Sequence, residues 1–182
     1  VTVKMRAGVN NKNHTIRIAK IIEEAGASGI TIHPRTQKQG YSGKADWDLI
    51  KEVAEAVSIP VTGNGDVNSP EKFVEILKQT GCEKVMIGRQ AMVNPYIFKQ
   101  CKDYVENESY HKFDKNKRRQ VFERYVELAK EYNAPLKRVK MQAQWFTSGI
   151  KGAAEARKKL TFAKSLDDIK NLMEYVLEQH HL

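Results

Sequence analysis

With 182 residues and a hydrophobic fraction of 41%, the chain has the length and composition of a globular protein, which excludes disorder as its main state. No apolar run approaches the ~20 residues that a bilayer-spanning helix needs, so no membrane span is expected. The net charge is +9, and residues 99–182 hold 18 basic against 12 acidic groups, which favours a polyanionic partner, with nucleic acid ahead of a membrane surface.

Strand and helix signals alternate through the first half of the chain. Strands are expected at residues 1–6, 29–33, 59–62 and 84–87. Helices are expected at 14–25, 47–57 and from Pro70 to near Gly81, with Asp46 and Ser69 as N-caps. A repeat of roughly 25–30 residues is typical of successive βα units in a parallel sheet.

The second half shows helical patterns and no comparable strand. Helices are expected at 116–132, from Pro135 to Gly149, at 153–160 and at 166–177, the last with Ser165 as its cap. The expected organisation is therefore an α/β domain at residues 1–98, a connection at 99–115 and a helical domain at 116–182.

The four predicted strands all end on polar residues or glycine. These ends are Lys4–Arg6, His33–Arg35, Gly63–Asp66 and Gly88–Arg89. Ligands of parallel βα arrays gather at the carboxyl ends of the strands, so these groups are expected to share one site. The two glycines around Asn64 let the backbone approach a ligand closely, and the Asn64 amide can both donate and accept.

A phosphate site is the specific expectation for the last two strand ends. In a (β/α)8 barrel the loops after strands seven and eight, with a short helix, commonly hold a phosphate. Residues 90–92 are predicted to form such a helix behind Arg89. On this counting Val1–Arg6 is the fifth strand, and four further strands are expected upstream.

These motifs carry a family resemblance over nearly the whole chain. They are Val3–Arg6, His33–Trp47, Gly63–Asp66, Met86–Arg89, Asn94-Pro95, Trp145-Phe146 and Gly149–Gly152. In order and spacing they resemble the tRNA-dihydrouridine synthases, and related flavin barrels are not expected to share residues 39–47 or the helical part. The fold implied is the C-terminal half of a TIM (β/α)8 barrel, strands 5–8, followed by an all-helical bundle.

The resemblance implies a cytoplasmic flavoprotein oxidoreductase that acts in tRNA processing. FMN, reduced by NADPH, delivers hydride to C6 of a tRNA uridine, and a cysteine general acid protonates C5 to give 5,6-dihydrouridine. That cysteine belongs to the first half of the barrel, so no catalytic residue is assigned here and this chain alone is expected to be inactive. Cys82 and Cys101 lack metal-ligand spacing and are expected to be structural thiols, and no metal site is expected.

Residue roles follow from the same resemblance. Lys4 is expected at the flavin ring and His33 at the flavin or substrate, while the FMN phosphate and ribityl contacts match Asn64, Gly65, Asp66, Gly88 and Arg89. The tRNA contacts are expected at Arg35, Arg138, Lys140, Lys151 and Arg157, although a single cation on a helix more often simply faces water. Trp145 and Phe146 are expected in the core. Gln142 replaces a histidine that many family members have.

Two other functions and one loop stay open at this point. The chain could belong to another FMN- or phosphate-binding barrel oxidoreductase acting on a small metabolite, or form a non-enzymatic RNA-binding half-barrel module. A half-barrel would leave two open strand edges and an exposed apolar inner face, so a homodimer of half-barrels is a further expectation. The loop from Tyr41 to Trp47 could close over a substrate, or Asp46 could simply cap the next helix.

Overall fold

A computed structural model describes residues 1–178 and contains two compact units. The first comprises Val1–Gly88 and Cys101–Ser109, and the second Arg89–Gln100 and Tyr110–Leu182. The domain boundaries expected at 98 and 115 stay a prediction.

The first unit is built on four parallel strands in sequential order. They are β1 (Val3–Arg6), β2 (Ile30–His33), β3 (Val61–Asn64) and β4 (Lys84–Met86), paired as β1-β2-β3-β4. The connecting helices are α1 (Thr15–Glu24), α2 (Trp47–Ala56) and α3 (Pro70–Thr80). An open doubly wound sheet would reverse its strand order at a switch point, whereas consecutive barrel strands do not. The predicted α/β half-barrel is confirmed.

Local capping chemistry sets the helix boundaries of this unit. The Asp46 carboxylate accepts a hydrogen bond from the backbone N–H of Leu49, and α2 begins there. The Ser69 hydroxyl does the same for Lys72 at the start of α3, and that helix ends at Gly81 with a left-handed φ of 69°. The caps predicted for both helices are confirmed.

Strand β3 begins two residues later than predicted. The backbone N–H groups of Ser58 and Ile59 donate to the Glu23 carboxylate and not to a neighbouring strand. Pro60 has no N–H to donate, so regular pairing starts at Val61. At its other end, β3 pairs as far as Asn64, which is in register with Met86 and is therefore part of the strand and not of the loop.

The two faces of the sheet differ in polarity. Ile30, Ile32 and Val61 are buried on one face, where Gly63 approaches side chains of α2 and α3. By register and alternation, the other face carries Lys4, Thr31, Thr62, Lys84, Arg6, His33, Asn64 and Met86. Only Met86 of these is apolar. The expectation of an exposed apolar inner face is therefore wrong, and the predicted homodimer loses one of its two supports.

The second unit is helical throughout its regular structure. Short α4 (Arg89–Val93) begins it, and α5 (Ile97–Asn107) belongs to it up to Gln100 and to the first unit from Cys101. The remaining helices are α6 (Lys115–Glu131), α7 (Leu136–Phe146), α8 (Ala153–Phe162) and α9 (Leu166–Glu178). Its core contains Phe122, Val126, Val139, Ala143, Phe146, Leu160, Ile169 and Met173. The four predicted C-terminal helices are confirmed. Within residues 1–178, every helix is too short or too polar to cross a membrane.

The paired aromatics of α7 divide between core and surface. Phe146 is fully buried and packs edge-on against Phe122, with ring centroids 5.4 Å apart. Trp145 is 37% exposed. Neighbouring helix residues point about 100° apart, so one narrow apolar face cannot bury both. The core prediction is confirmed for Phe146 and wrong for Trp145.

Candidate functional site

Five of the predicted cofactor residues of the first unit lie at the carboxyl edge of its sheet, and the sixth, Lys4, lies two residues before the end of β1. Lys4 and His33 lie on the sheet face opposite the helices, and Asn64 ends β3 in register with Met86. Gly65 and Asp66 follow β3, and Gly88 comes two residues after β4. Arg89, the seventh predicted contact, opens α4 in the second unit.

The two predicted cradle glycines differ in what they need from the fold. A Cβ on Gly65, whose φ is 134°, would lie 2.8 Å from Ala45 Cβ and 3.1 Å from His33 Cδ2. Packing inside the unit therefore requires glycine there. Gly88 is exposed, and a Cβ added to it would meet no atom of residues 1–178 within 4 Å. Of these two glycines, Gly88 is the one that leaves room beside its backbone for an external ligand.

His33 is a buried and uncharged imidazole. Only 6% of the residue is exposed. Burial, followed by the positive charges of Arg6, Lys4 and Arg35, lowers its pKa to about 4, while Asp66 opposes the shift. At neutral pH the ring is therefore neutral and can donate one hydrogen bond and accept another.

Arg35, predicted to contact tRNA, is buried and has 2% of its surface exposed. Its Nη1 and Nη2 donate to the two carboxylate oxygens of Asp66 at 2.9 and 2.8 Å. Nε donates to the Ser42 carbonyl at 3.1 Å, and Nη2 also donates to the carbonyl of Gly43. The tRNA contact stays a prediction, but the structure presents no exposed guanidinium at this position.

The loop after β2 is held along its length by charged side chains. Arg6 donates from Nη1 to the carbonyls of Thr36 and Gly40 at 2.8 and 3.1 Å, a role that its place at the end of β1 could have indicated. Lys12 pairs with Asp46 at 2.7 Å, and that hydrogen bond lowers the pKa of Asp46. Asp46 therefore caps α2. This is the structural alternative to a loop that closes over a substrate.

Both cysteines are buried free thiols. Burial raises the pKa of Cys82, and burial together with the charge of Glu71 raises the pKa of Cys101 to about 11. A raised pKa disfavours the thiolate, so neither thiol is activated. Their expected structural role is confirmed. Residues 1–178 also contain no cluster of three metal-ligating side chains.

The predicted tRNA-binding cations of the second unit differ in their surroundings. Arg138 and Arg157 are exposed, and Arg157 is 3.4 Å from the Thr147 hydroxyl. Lys140 is half-buried and donates to the Thr161 carbonyl at the end of α8, at 3.0 Å. Lys151 is exposed and interacts with neighbouring groups. All four cations therefore reach the surface, Lys140 only in part.

Net charge separates completely between the two units. The first unit holds 13 basic and 13 acidic residues and the second 18 basic and 9 acidic, so the whole excess of +9 lies in the helical unit. A division of the sequence at residue 98 instead gives +3 for residues 1–98, with 13 basic and 10 acidic groups, and +6 for residues 99–182. A polyanion would therefore be attracted mainly to the helical unit.

Gln142 has a role that the sequence left undefined. Its side-chain amide donates to the carbonyl of Met92, in α4, at 2.7 Å. This hydrogen bond fastens α7 to α4 inside the second unit. Nothing in the local sequence could have indicated it, because the two residues lie 50 positions apart.

Comparison with known proteins places these features in a family. The family model described as dihydrouridine synthase matches residues 1–180. A tRNA-dihydrouridine(16) synthase of Neisseria meningitidis serogroup B is 36% identical over 95% of this chain and 53% of its own length. A tRNA-dihydrouridine synthase B of Vibrio parahaemolyticus serotype O3:K6 is 46% identical over 59% of this chain and 34% of its own. A probable tRNA-dihydrouridine synthase of Aquifex aeolicus is 45% identical over 57% and 32%.

The chain thus spans between about a third and about half of the length of these relatives. The family model nevertheless covers both the strands with their polar carboxyl ends and the basic helical unit. This chain belongs to the dihydrouridine synthase family.

Proposed function

We propose that the complete protein containing this chain is an FMN-dependent tRNA-dihydrouridine synthase that reduces uridine to 5,6-dihydrouridine with NADPH in the cytoplasm. The main support is that a chain of this family contains both a polar strand edge and a helical unit that holds all of the net charge of +9. In this proposal residues 1–98 belong to the flavin barrel, 99–115 connect, and 116–182 bind tRNA.

The strand edge has the chemistry that a flavin requires. The exposed Lys4 ammonium can stabilise negative charge on the flavin ring, and the neutral His33 ring can exchange hydrogen bonds with flavin or substrate. Asn64, Gly65 and the backbone of Asp66 support the ribityl chain and phosphate, with the open Gly88 backbone and the Arg89 guanidinium. When bound, the flavin supplies the hydride chemistry, while the protein orients it and the base.

The acid that completes the reduction is proposed to lie outside this chain. Cys82 and Cys101 are buried, and both have raised pKa values. Cys82 precedes β4 at the amino edge of the sheet, opposite the predicted site. Burial keeps both thiols from a base held at the carboxyl edge, so this chain alone is proposed to be inactive.

The tRNA contacts are proposed at Arg138, Lys140, Lys151 and Arg157, which the basic excess of the helical unit supports. A base that is to be reduced must leave its stack, so holding the RNA backbone elsewhere stabilises the extruded state.

The test of the flavin site is Gly88→Ala in the complete protein, measured by flavin fluorescence titration and by thermal unfolding. We expect FMN to bind at least tenfold more weakly with an unchanged unfolding midpoint, because an added Cβ meets only a ligand. Gly29→Ala is the matched control, since its Cβ would lie 3.3 Å from the Pro60 carbonyl, at the amino edge. It should lower stability and leave FMN affinity intact.

Three results would contradict the proposal. Unchanged FMN affinity in Gly88→Ala would show that Gly88 is not part of the phosphate site. A complete protein that binds flavin but not tRNA would favour a barrel oxidoreductase for a small metabolite. A protein that binds tRNA without flavin would favour an RNA-binding module.

A further inference from the structure

A single ion pair joins three segments at the edge of the sheet. Arg35, two residues beyond β2, donates to both carboxylate oxygens of Asp66, which follows β3. Arg35 also donates to the carbonyls of Ser42 and Gly43, and Asp66 Oδ2 accepts from the backbone N–H of Ala45 at 2.7 Å. The pair therefore ties the loop at 42–45 to the loop at 64–66.

The hydrogen bonds of Arg35 leave few of its N–H donors free to bind a ligand. With 2% of its surface exposed, its guanidinium relies on partners inside the protein. Four of its hydrogen bonds go to Asp66, Ser42 and Gly43, and the His33 ring nitrogen lies 3.5 Å from Nη1. A phosphate or a base would have to displace these acceptors.

The backbone that the pair holds is strained. Asp66 has φ 56°, in the left-handed region, and Gly65 before it has φ 134°. Left-handed backbone is unfavourable at a non-glycine residue, so the fixed Asp66 carboxylate helps to maintain it. Because Gly65 packs against the His33 ring, a change in this backbone would also move His33.

We infer that Arg35 and Asp66 form a positioning pair that fixes the loops after β2 and β3, and that neither side chain itself contacts RNA or flavin. The pair acts on the site through the backbone of residues 42–45 and 64–66 and through the ring of His33. The inference rests on the proposed function only for the identity of the ligand that this site receives.

A double-mutant cycle separates this role from direct contact. Arg35→Met and Asp66→Asn should each speed hydrogen exchange of the Ala45 amide at least tenfold. The double variant should exchange no faster than the faster single variant, because both changes remove one interaction. Lys38→Met, an exposed cation of the same loop, is the matched control and should leave exchange unchanged. Additive effects, or an unchanged rate in Arg35→Met, would overturn the inference.

Binding measurements on the complete protein give the second test. Both single variants and the double variant should weaken FMN binding by the same factor, while RNA affinity in Arg35→Met should match that of Lys38→Met. Lower RNA affinity with unchanged exchange would make Arg35 a tRNA contact. Additive losses of FMN affinity would make Asp66 a direct ligand.

The variants also protect the test from misfolding. Should Arg35→Met not fold, Arg35→Lys keeps the charge but cannot reach both Asp66 oxygens and two carbonyls at once, so partial loss of exchange protection is expected. Full protection in that variant would contradict the inference. A complete protein without flavin affinity would remove the proposed function, whereas the exchange cycle would still decide the role of the pair.

Discussion

His33 links the electrostatics of the site to the stability of the fold. Its pKa is lowered to about 4, so between about pH 6.5 and 4 the unfolded chain binds a proton that the folded chain does not. Stability should therefore fall as the pH drops through this window, with no contribution from His33 above it. The stability lost through His33 at pH 4 is at most about 3 kcal/mol, because each pKa unit corresponds to about 1.36 kcal/mol.

Urea unfolding of the wild type and of His33→Asn at pH 7 and pH 4.5 measures this effect. The wild type should lose more stability between the two pH values than the variant does. Equal losses would show that His33 does not titrate as its burial and its three neighbouring cations indicate.

Single residues show which site properties the sequence could supply. The place of His33 at a strand end could be predicted, because strand ends are local patterns. The burial of Arg35 could not be predicted, since it depends on a carboxylate 31 residues further along the chain. Trp145 is exposed and not in the core as predicted, for a related reason. Only the packing of α7 decides which of two adjacent aromatic side chains is buried.

At the scale of elements, Arg118 of α6 stabilises the end of α7. Its Nη1 donates to the carbonyls of Phe146 and Ser148, and its guanidinium lies 5.2 Å from the Phe113 ring centroid. Arg118→Met leaves these acceptors without a donor, which should cost about 1–3 kcal/mol. Arg119→Met is the control, because its exposed pair with Glu178 at 3.5 Å contributes little and its removal should stay within about 0.5 kcal/mol. Equal losses in chemical denaturation would contradict this assignment.

The same contrast between local and distant causes explains the element boundaries. Asp46, Ser69 and Ser165 each receive a hydrogen bond from a backbone N–H three residues on, so their helices could be placed from the sequence. The start of β3 could not, because the Glu23 carboxylate takes two backbone donors from 35 and 36 residues away. The polar inner face could not be predicted either, because it depends on the strand register. That register places four polar residues in one row: Lys4, Thr31, Thr62 and Lys84.

At the scale of the whole molecule, the separation of charge matches the two kinds of binding that we propose. The first unit has no net charge, and two of its cations near the strand edge are engaged inside it, Arg6 with loop carbonyls and Arg35 with Asp66. The helical unit has an excess of nine positive charges and exposes Arg138 and Arg157. Affinity for a polyanion should therefore depend on the helical unit, and affinity for a small cofactor on the strand edge.

The salt dependence of tRNA binding tests this division. Each phosphate contact releases counterions, so the slope of log K against log salt falls in magnitude by about 0.7–0.9 for each contact removed. Arg138→Gln with Arg157→Gln should therefore reduce the slope by about 1.4–1.8. Lys20→Gln with Lys78→Gln removes the same charge from exposed positions of the first unit and should change the slope much less. Because both double variants have the same net charge, equal slopes would mean that RNA senses only the total charge, and the helical unit would lose its assignment as the tRNA-binding surface.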